Sequence, residues 1–181
     1  MASPNAPYTV KSNNMNWIKS GVIALVVLSI TGCGFYSLKG ISIPPEIETA
    51  SVAFVENNAP VVAPTLSPTL TDKLRNLFIS QTKLNLLEEG GDFDITGQVI
   101  NYSVAPVGAS DNSTASKNRL TITVRMKMVS EKAPNLEFDQ RFTQFEDFDA
   151  NTSLADVEAS LIESITDNLA QEVFNKAALN W

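Results

Sequence analysis

The chain has 181 residues, 44% of them hydrophobic and 18% charged, with a formal charge of −7, one cysteine and no histidine. The lack of histidine excludes Ser-His-Asp and Cys-His catalysis and His-containing zinc sites, and one cysteine makes neither an internal disulfide nor a four-thiolate metal site. The acidic balance argues against nucleic acid as a partner, since proteins that track phosphates need a basic footprint, and the length suits one domain.

In chain order, the first informative segment runs from Met15 to Cys33. A short stretch with Lys19 precedes about ten apolar residues from Val22, as in a secretory signal. That run is too short to span a bilayer, which takes about 20 residues. It ends in Ile30-Thr31-Gly32-Cys33, which has the form of a lipobox, with a small residue before the cysteine that becomes lipid-modified. Translation is expected to begin at Met15. Residues 1–32 are then an upstream extension and lipoprotein signal peptide, and residues 33–181 a single domain. Loss of Lys11 and Lys19 with the leader takes the charge from −7 to −9. No Asp follows Cys33 as an inner-membrane retention signal, so the expected address is the outer membrane, lipid-anchored at Cys33 and facing the periplasm.

Beyond the cysteine, Phe35 to Ile43 reads as a short strand stopped by Pro44-Pro45, and Ser51 to Glu56 as a second, stopped by Asn57-Asn58. A loop with Pro60, Pro64 and Pro68 leads into a helix. Leu66, Leu70, Leu74, Leu77 and Phe78 recur at helical spacing, with Ser67 as the expected N-cap, Pro68 at the first helical position and an end near Gln81. Three strands follow. Phe93 to Val104 comes after Gly90-Gly91. In Leu120 to Met128 every even position is apolar and every odd one polar, the period of a sheet with one buried face. Leu136 to Phe148 returns after a turn at Ala133-Pro134-Asn135, with Phe138 and Phe142 inward. A last helix carries Leu154, Val157, Leu161, Ile165, Leu169 and Val173 as its apolar stripe, with Ser153 and Asp156 as an expected capping box. The fold class is therefore α+β: a two-layer sandwich, its mostly antiparallel sheet four-stranded or slightly larger and covered on one face by two helices.

Candidate chemistry is sparse. The acidic run Glu146-Asp147-Phe148-Asp149 reads as a solvated charged turn rather than a Ca²⁺ loop, and Met126 and Met128 as core rather than copper ligands. No catalytic residues, metal or cofactor are expected. Five cations, Lys117, Arg119, Arg125, Lys127 and Lys132, fall in one stretch against Glu131 alone, and the first four share the outer face of their strand. Two readings stand. One is an anion site for lipid A phosphates at Lys117, Arg119, Arg125 and Lys127. The other is cross-strand pairing of Arg125 and Lys127 with Glu137 or Asp139, and of Lys117 and Arg119 with Asp147.

Several short motifs, in order, carry a resemblance: Gly32-Cys33-Gly34-Phe35-Tyr36-Ser37, Ile43-Pro44-Pro45, Pro64-Thr65-Leu66-Ser67, Asn118-Arg119-Leu120-Thr121-Ile122-Thr123-Val124, and Phe174-Asn175-Lys176-Ala177 with Trp181. Together with the lipobox they resemble the LptE family of outer-membrane lipopolysaccharide-assembly lipoproteins. The resemblance implies a non-enzymatic α/β domain that plugs an LptD-type β-barrel, helps it fold and passes lipopolysaccharide to the outer leaflet. Of individual residues it carries over Cys33 alone. A periplasmic lipoprotein holding an apolar ligand between helices and sheet is the alternative.

Overall fold

The computed structural model describes residues 43–61, 63–108 and 117–179. Cys33, the leader and the expected strand from Phe35 lie outside the described residues, except that Ile43 is described and is not in a strand.

The elements are β1 (Thr49–Val52), β2 (Glu56–Asn57), α1 (Leu66–Gln81), β3 (Asn85–Leu87), β4 (Phe93–Val107), β5 (Lys117–Val129), β6 (Phe138–Asp149) and α2 (Leu154–Ala178). A 3₁₀ turn at Pro134–Leu136 joins β5 to β6. The sheet has six strands in the order β3-β1-β4-β5-β6, with β2 also on β4. The α+β sandwich is as expected, and its sheet is larger and more mixed than the alternation alone indicates. β4, β5 and β6 are antiparallel, whereas β1 pairs in parallel with both β3 and β4, and β2 in parallel with β4. Parallel pairing follows from α1, a crossover helix that carries the chain from β2 back to β3.

The expected strand at Ser51–Glu56 is broken in two. At the break, side chains of α1 take over the ladder: Thr71 Oγ1 accepts from the Val55 N–H at 3.0 Å, and the Arg75 guanidinium donates twice to Val52 O at 2.9 and 3.1 Å. α1 begins at Leu66 after Thr65, with no side-chain cap, so Ser67 is not the N-cap; its hydroxyl is buried without a partner. A turn closed by Leu66 N–H on Ala63 O starts the helix early. Pro68 then sits in the first turn, where a missing N–H costs nothing. Ser153 precedes α2 without a side-chain cap either, and Asp156 bonds it only through backbone.

The core lies between the helices and the sheet. Leu120, Ile122, Val124, Met126 and Met128 of β5 are fully buried, as the alternation requires. Against them pack Leu70, Leu74 and Phe78 of α1 and Ile165, Leu169, Val173 and Phe174 of α2. The Phe78 and Phe174 rings meet edge to face, 5.2 Å between centroids. With both helices on this face, no described element covers the opposite face of β4–β6.

The open face of the sheet as candidate functional site

Register decides what the open face displays. Cross-strand partners share a face, and β5 pairs Lys117 with Asp149, Arg119 with Asp147, Thr121 with Phe145, Thr123 with Thr143, Arg125 with Arg141 and Lys127 with Asp139. On the other side β4 adds Thr96 opposite Lys127, Gln98 opposite Arg125 and Ser103 opposite Thr121.

All four expected anion-contact residues lie here, yet they separate into two kinds. Arg119 grips Asp147 with two bonds, Nε to Oδ1 at 2.7 Å and Nη2 to Oδ2 at 3.0 Å, and its guanidinium lies 3.7 Å from the centre of the Phe145 ring. Arg125 holds Asp139 in the same way, at 2.7 and 2.8 Å. The hydrogen bond from each arginine holds its aspartate below the ordinary carboxylate range, despite some opposing desolvation. Cross-strand pairing thus accounts for the two arginines. Glu137 instead accepts from the Ser130 N–H. Lys117 and Lys127 form no ion pair among the described residues, although the charge of each acts on one of the same aspartates, Lys117 on Asp147 and Lys127 on Asp139.

Lys127 borders a depression of about 370 Å³ lined also by Phe54, Thr96, Gln98, Arg125 and Asp139. Phe54 is 54% exposed there. Arg141, absent from the sequence-level set, stands opposite Arg125 and makes no ion pair among the described residues. Its place was readable: once Arg119 faces Asp147 across the hairpin, Arg125 must face Arg141.

Lys132 leaves the patch. It pairs with Asp92 Oδ1 at 2.8 Å and donates to Glu46 O at 3.2 Å. Asp92 Oδ2 accepts from the N–H groups of Glu48 and Thr49 at 2.9 and 3.0 Å. Those donors, with Lys132 foremost, hold the Asp92 carboxyl far below its usual range. The acidic run 146–149 is strand rather than turn. Glu146 accepts from Ser164 on the helix side, and Asp147 binds Arg119 on the open side. Among the described residues no group of three or more His, Cys, Asp or Glu is placed to hold a metal. No helix of the described residues is long and apolar enough to cross a membrane.

Chemically the face offers hydroxyls, amides, two Arg–Asp pairs and further cations that form no ion pair among the described residues, a surface suited to docking. Solved structures similar to the chain include a protein from Xanthomonas campestris, at 16% identity over 75% of this chain and 88% of that one, with a TM-score of 0.50. A minor lipoprotein from Acinetobacter baumannii matches at 15% identity over 71% and 90%, TM-score 0.47. An uncharacterized lipoprotein B from Nitrosomonas europaea matches at 14% over 71% and 81%, TM-score 0.45. No curated protein matches the chain. The model of the LptE family, described as lipopolysaccharide-assembly, matches residues 47–177, from just before β1 to the last turn of α2. The chain belongs to the LptE family of lipopolysaccharide-assembly proteins.

Proposed function

We propose that the chain is a non-enzymatic lipoprotein of the outer membrane, anchored through a lipid on Cys33 and facing the periplasm, that seats as a plug in an LptD-type β-barrel and helps it assemble for lipopolysaccharide transport. The observation that carries this reading is the family match across the folded unit. The physics of the open face agrees with it. A wide barrel encloses a polar lumen, and Gln98, Thr121, Thr123 and Thr143 present polar groups to it beside the half-exposed rings of Phe54 and Phe145. The space between helices and sheet is filled by fully buried Phe78, Phe93, Phe142 and Phe174, which speaks against carriage of an apolar ligand there.

On the same reading Lys117, Arg119, Arg125 and Lys127 meet lipopolysaccharide phosphates. The two lysines, which form no ion pair among the described residues, supply more of the charge than the arginines, whose aspartates take most of theirs. The testing experiment is a pull-down through a C-terminal tag from detergent-solubilised envelopes, read by mass spectrometry, together with depletion. A large β-barrel is expected to co-purify, and mature barrel and surface lipopolysaccharide to fall on depletion. Unchanged barrel level and surface lipopolysaccharide would overturn the proposal. Cys33→Ser is expected to abolish acyl labelling and processing. Lys117→Glu with Lys127→Glu is expected to weaken lipopolysaccharide binding more than Arg119→Ala with Arg125→Ala.

A further inference from the structure

The two edges of the sheet are finished differently. β3 at one edge is three residues long, too short to template a partner. β6 at the other edge is 12 residues long, contains no Pro, Gly or Lys, and runs against β5 without a bulge. Edge strands are normally blunted by just those devices. Among the described residues, the outer side of β6 pairs with nothing.

The open-face side chains of β6 have an internal symmetry. Phe145, 47% exposed, sits at the middle. Arg141 lies four residues before it and Asp149 four after, both exposed and without an ion pair among the described residues. Arg141 moreover stands opposite Arg125, a like-charge opposition, and Asp139, two residues before it on the same face, is gripped by Arg125.

We propose that β6 pairs antiparallel with β6 of a second copy of this chain, about a two-fold axis at Phe145. In that register each Arg141 faces the Asp149 of the other copy, twice by symmetry, and Phe145 faces itself. On the covered face Phe142 comes opposite Phe148, and Gln144 opposite Glu146. Other centres lose the match. An axis at Thr143 sets Asp139 against Asp147; one at Gln144 sets Arg141 against Asp147, which Arg119 already holds, and Asp139 against Asp149; those at Glu146 and Asp147 carry Arg141 past the strand to Asn151 and Ser153. Of these axes, the one at Phe145 alone sets Arg141 against an acid that no arginine holds: Asp149 faces Lys117 across β5 and accepts from the Asn151 N–H at 2.7 Å, but forms no ion pair among the described residues. The inference stands independently of the barrel reading, because it concerns two copies of one chain.

The test uses the full chain, purified in detergent without other proteins, with its mass followed by sedimentation across concentration. A dimer is expected. Under mild oxidation F145C is expected to give a disulfide-linked dimer, while T143C and the wild type do not. R141D should raise the dimer dissociation constant about tenfold, as expected for two symmetric charge pairs turned repulsive. The swap R141D/D149R should restore it. Thermal melting checks that each variant is folded; all four positions are exposed. Monomer at every concentration, linkage of T143C as fast as that of F145C, or a swap variant as weak as R141D each overturns the proposal.

Discussion

The sheet is two structures joined along β4, and they are held by different means. From β4 to β6 the strands are long and antiparallel, and register follows from side chains that alternate between core and open face. Leu120, Ile122 and Val124 are fully buried while Lys117, Arg125 and Lys127 stand exposed. A slip of one residue would exchange the two sets, so the pattern alone fixes the pairing. From β4 to β3 the strands are two to four residues long, and no pattern of that length can fix anything. There the backbone is addressed directly: Asp92 takes two N–H groups of the incoming chain, Ser51 donates to Asp94 at 2.6 Å, and Thr71 and Arg75 of α1 serve the broken strand. A short parallel segment survives when polar side chains and close backbone approach substitute for length.

Two glycines break that comparison most sharply. A Cβ on Gly91 would overlap backbone atoms of Ala50 and Ser51, which β1 cannot move without losing its place beside β4. Gly91→Ala is expected to cost about 3 kcal/mol, at the upper end for overpacking, measured as a drop in urea midpoint. Gly97, in the antiparallel half, faces the thioether of Met126 instead. That side chain can swing aside, so Gly97→Ala is expected to cost only about 1 kcal/mol. Equal costs would show that the parallel half is no more tightly constrained than the other.

An intermediate effect is expected from Asp92→Asn, and its pH dependence sharpens the contrast. Because the folded carboxyl lies below its unfolded value, its contribution is complete above about pH 4 and drains away as the pH falls toward the depressed folded value. The wild-type advantage over the variant in thermal midpoint should therefore be constant from pH 7 to 5 and shrink below pH 4. Asp139 and Asp147 are depressed in the same direction but are common to both proteins, so they cancel in the difference.

The antiparallel half was also the half legible in the sequence. Alternation from Leu120 to Met128 showed the buried face and the turn at Ala133–Asn135 the hairpin, which together set Lys117 and Arg119 near Asp147 and Arg125 and Lys127 near Glu137 or Asp139; the structure selects Arg119–Asp147 and Arg125–Asp139. β3 was not legible, because Asn85–Leu87 is shorter than one period of either pattern can be tested on. Nor was the break at residues 53–55, whose cause lies on a helix 16 residues downstream. Local cap signals misled at Ser67 and Ser153, since the chain path before each helix, rather than the residue type, decides whether a hydroxyl can reach an N–H. For the site, the sequence located the open-face cations but not which of them hold the aspartates: Arg119 takes Asp147 directly opposite, whereas Arg125 reaches diagonally to Asp139, which stands opposite Lys127.

An effect as small as that of Gly97→Ala comes from a polar tie between the covered face of β4 and the start of α2. Tyr102, buried on that face, donates its hydroxyl to Glu158 Oε1 at 2.5 Å. Burial foremost, and then the hydrogen bond and negative charge of Glu158, raise the phenol above its ordinary value. Tyr102→Phe keeps the packing and removes one bond to a carboxylate that water can reach, so the expected loss at neutral pH is about 1 kcal/mol. The sign at high pH follows from the raised value. Below about pH 10 both folded and unfolded phenols hold their protons and the contribution is intact; as the pH rises further the unfolded chain ionises first, and folding loses support. Wild type should therefore weaken more steeply than Tyr102→Phe above pH 10, with the phenolate absorbance of one tyrosine arriving only with unfolding. If that tyrosine ionised freely in the folded protein, the tie between β4 and α2 would be no stronger than solvent contact, and the antiparallel half would rest on its apolar face alone.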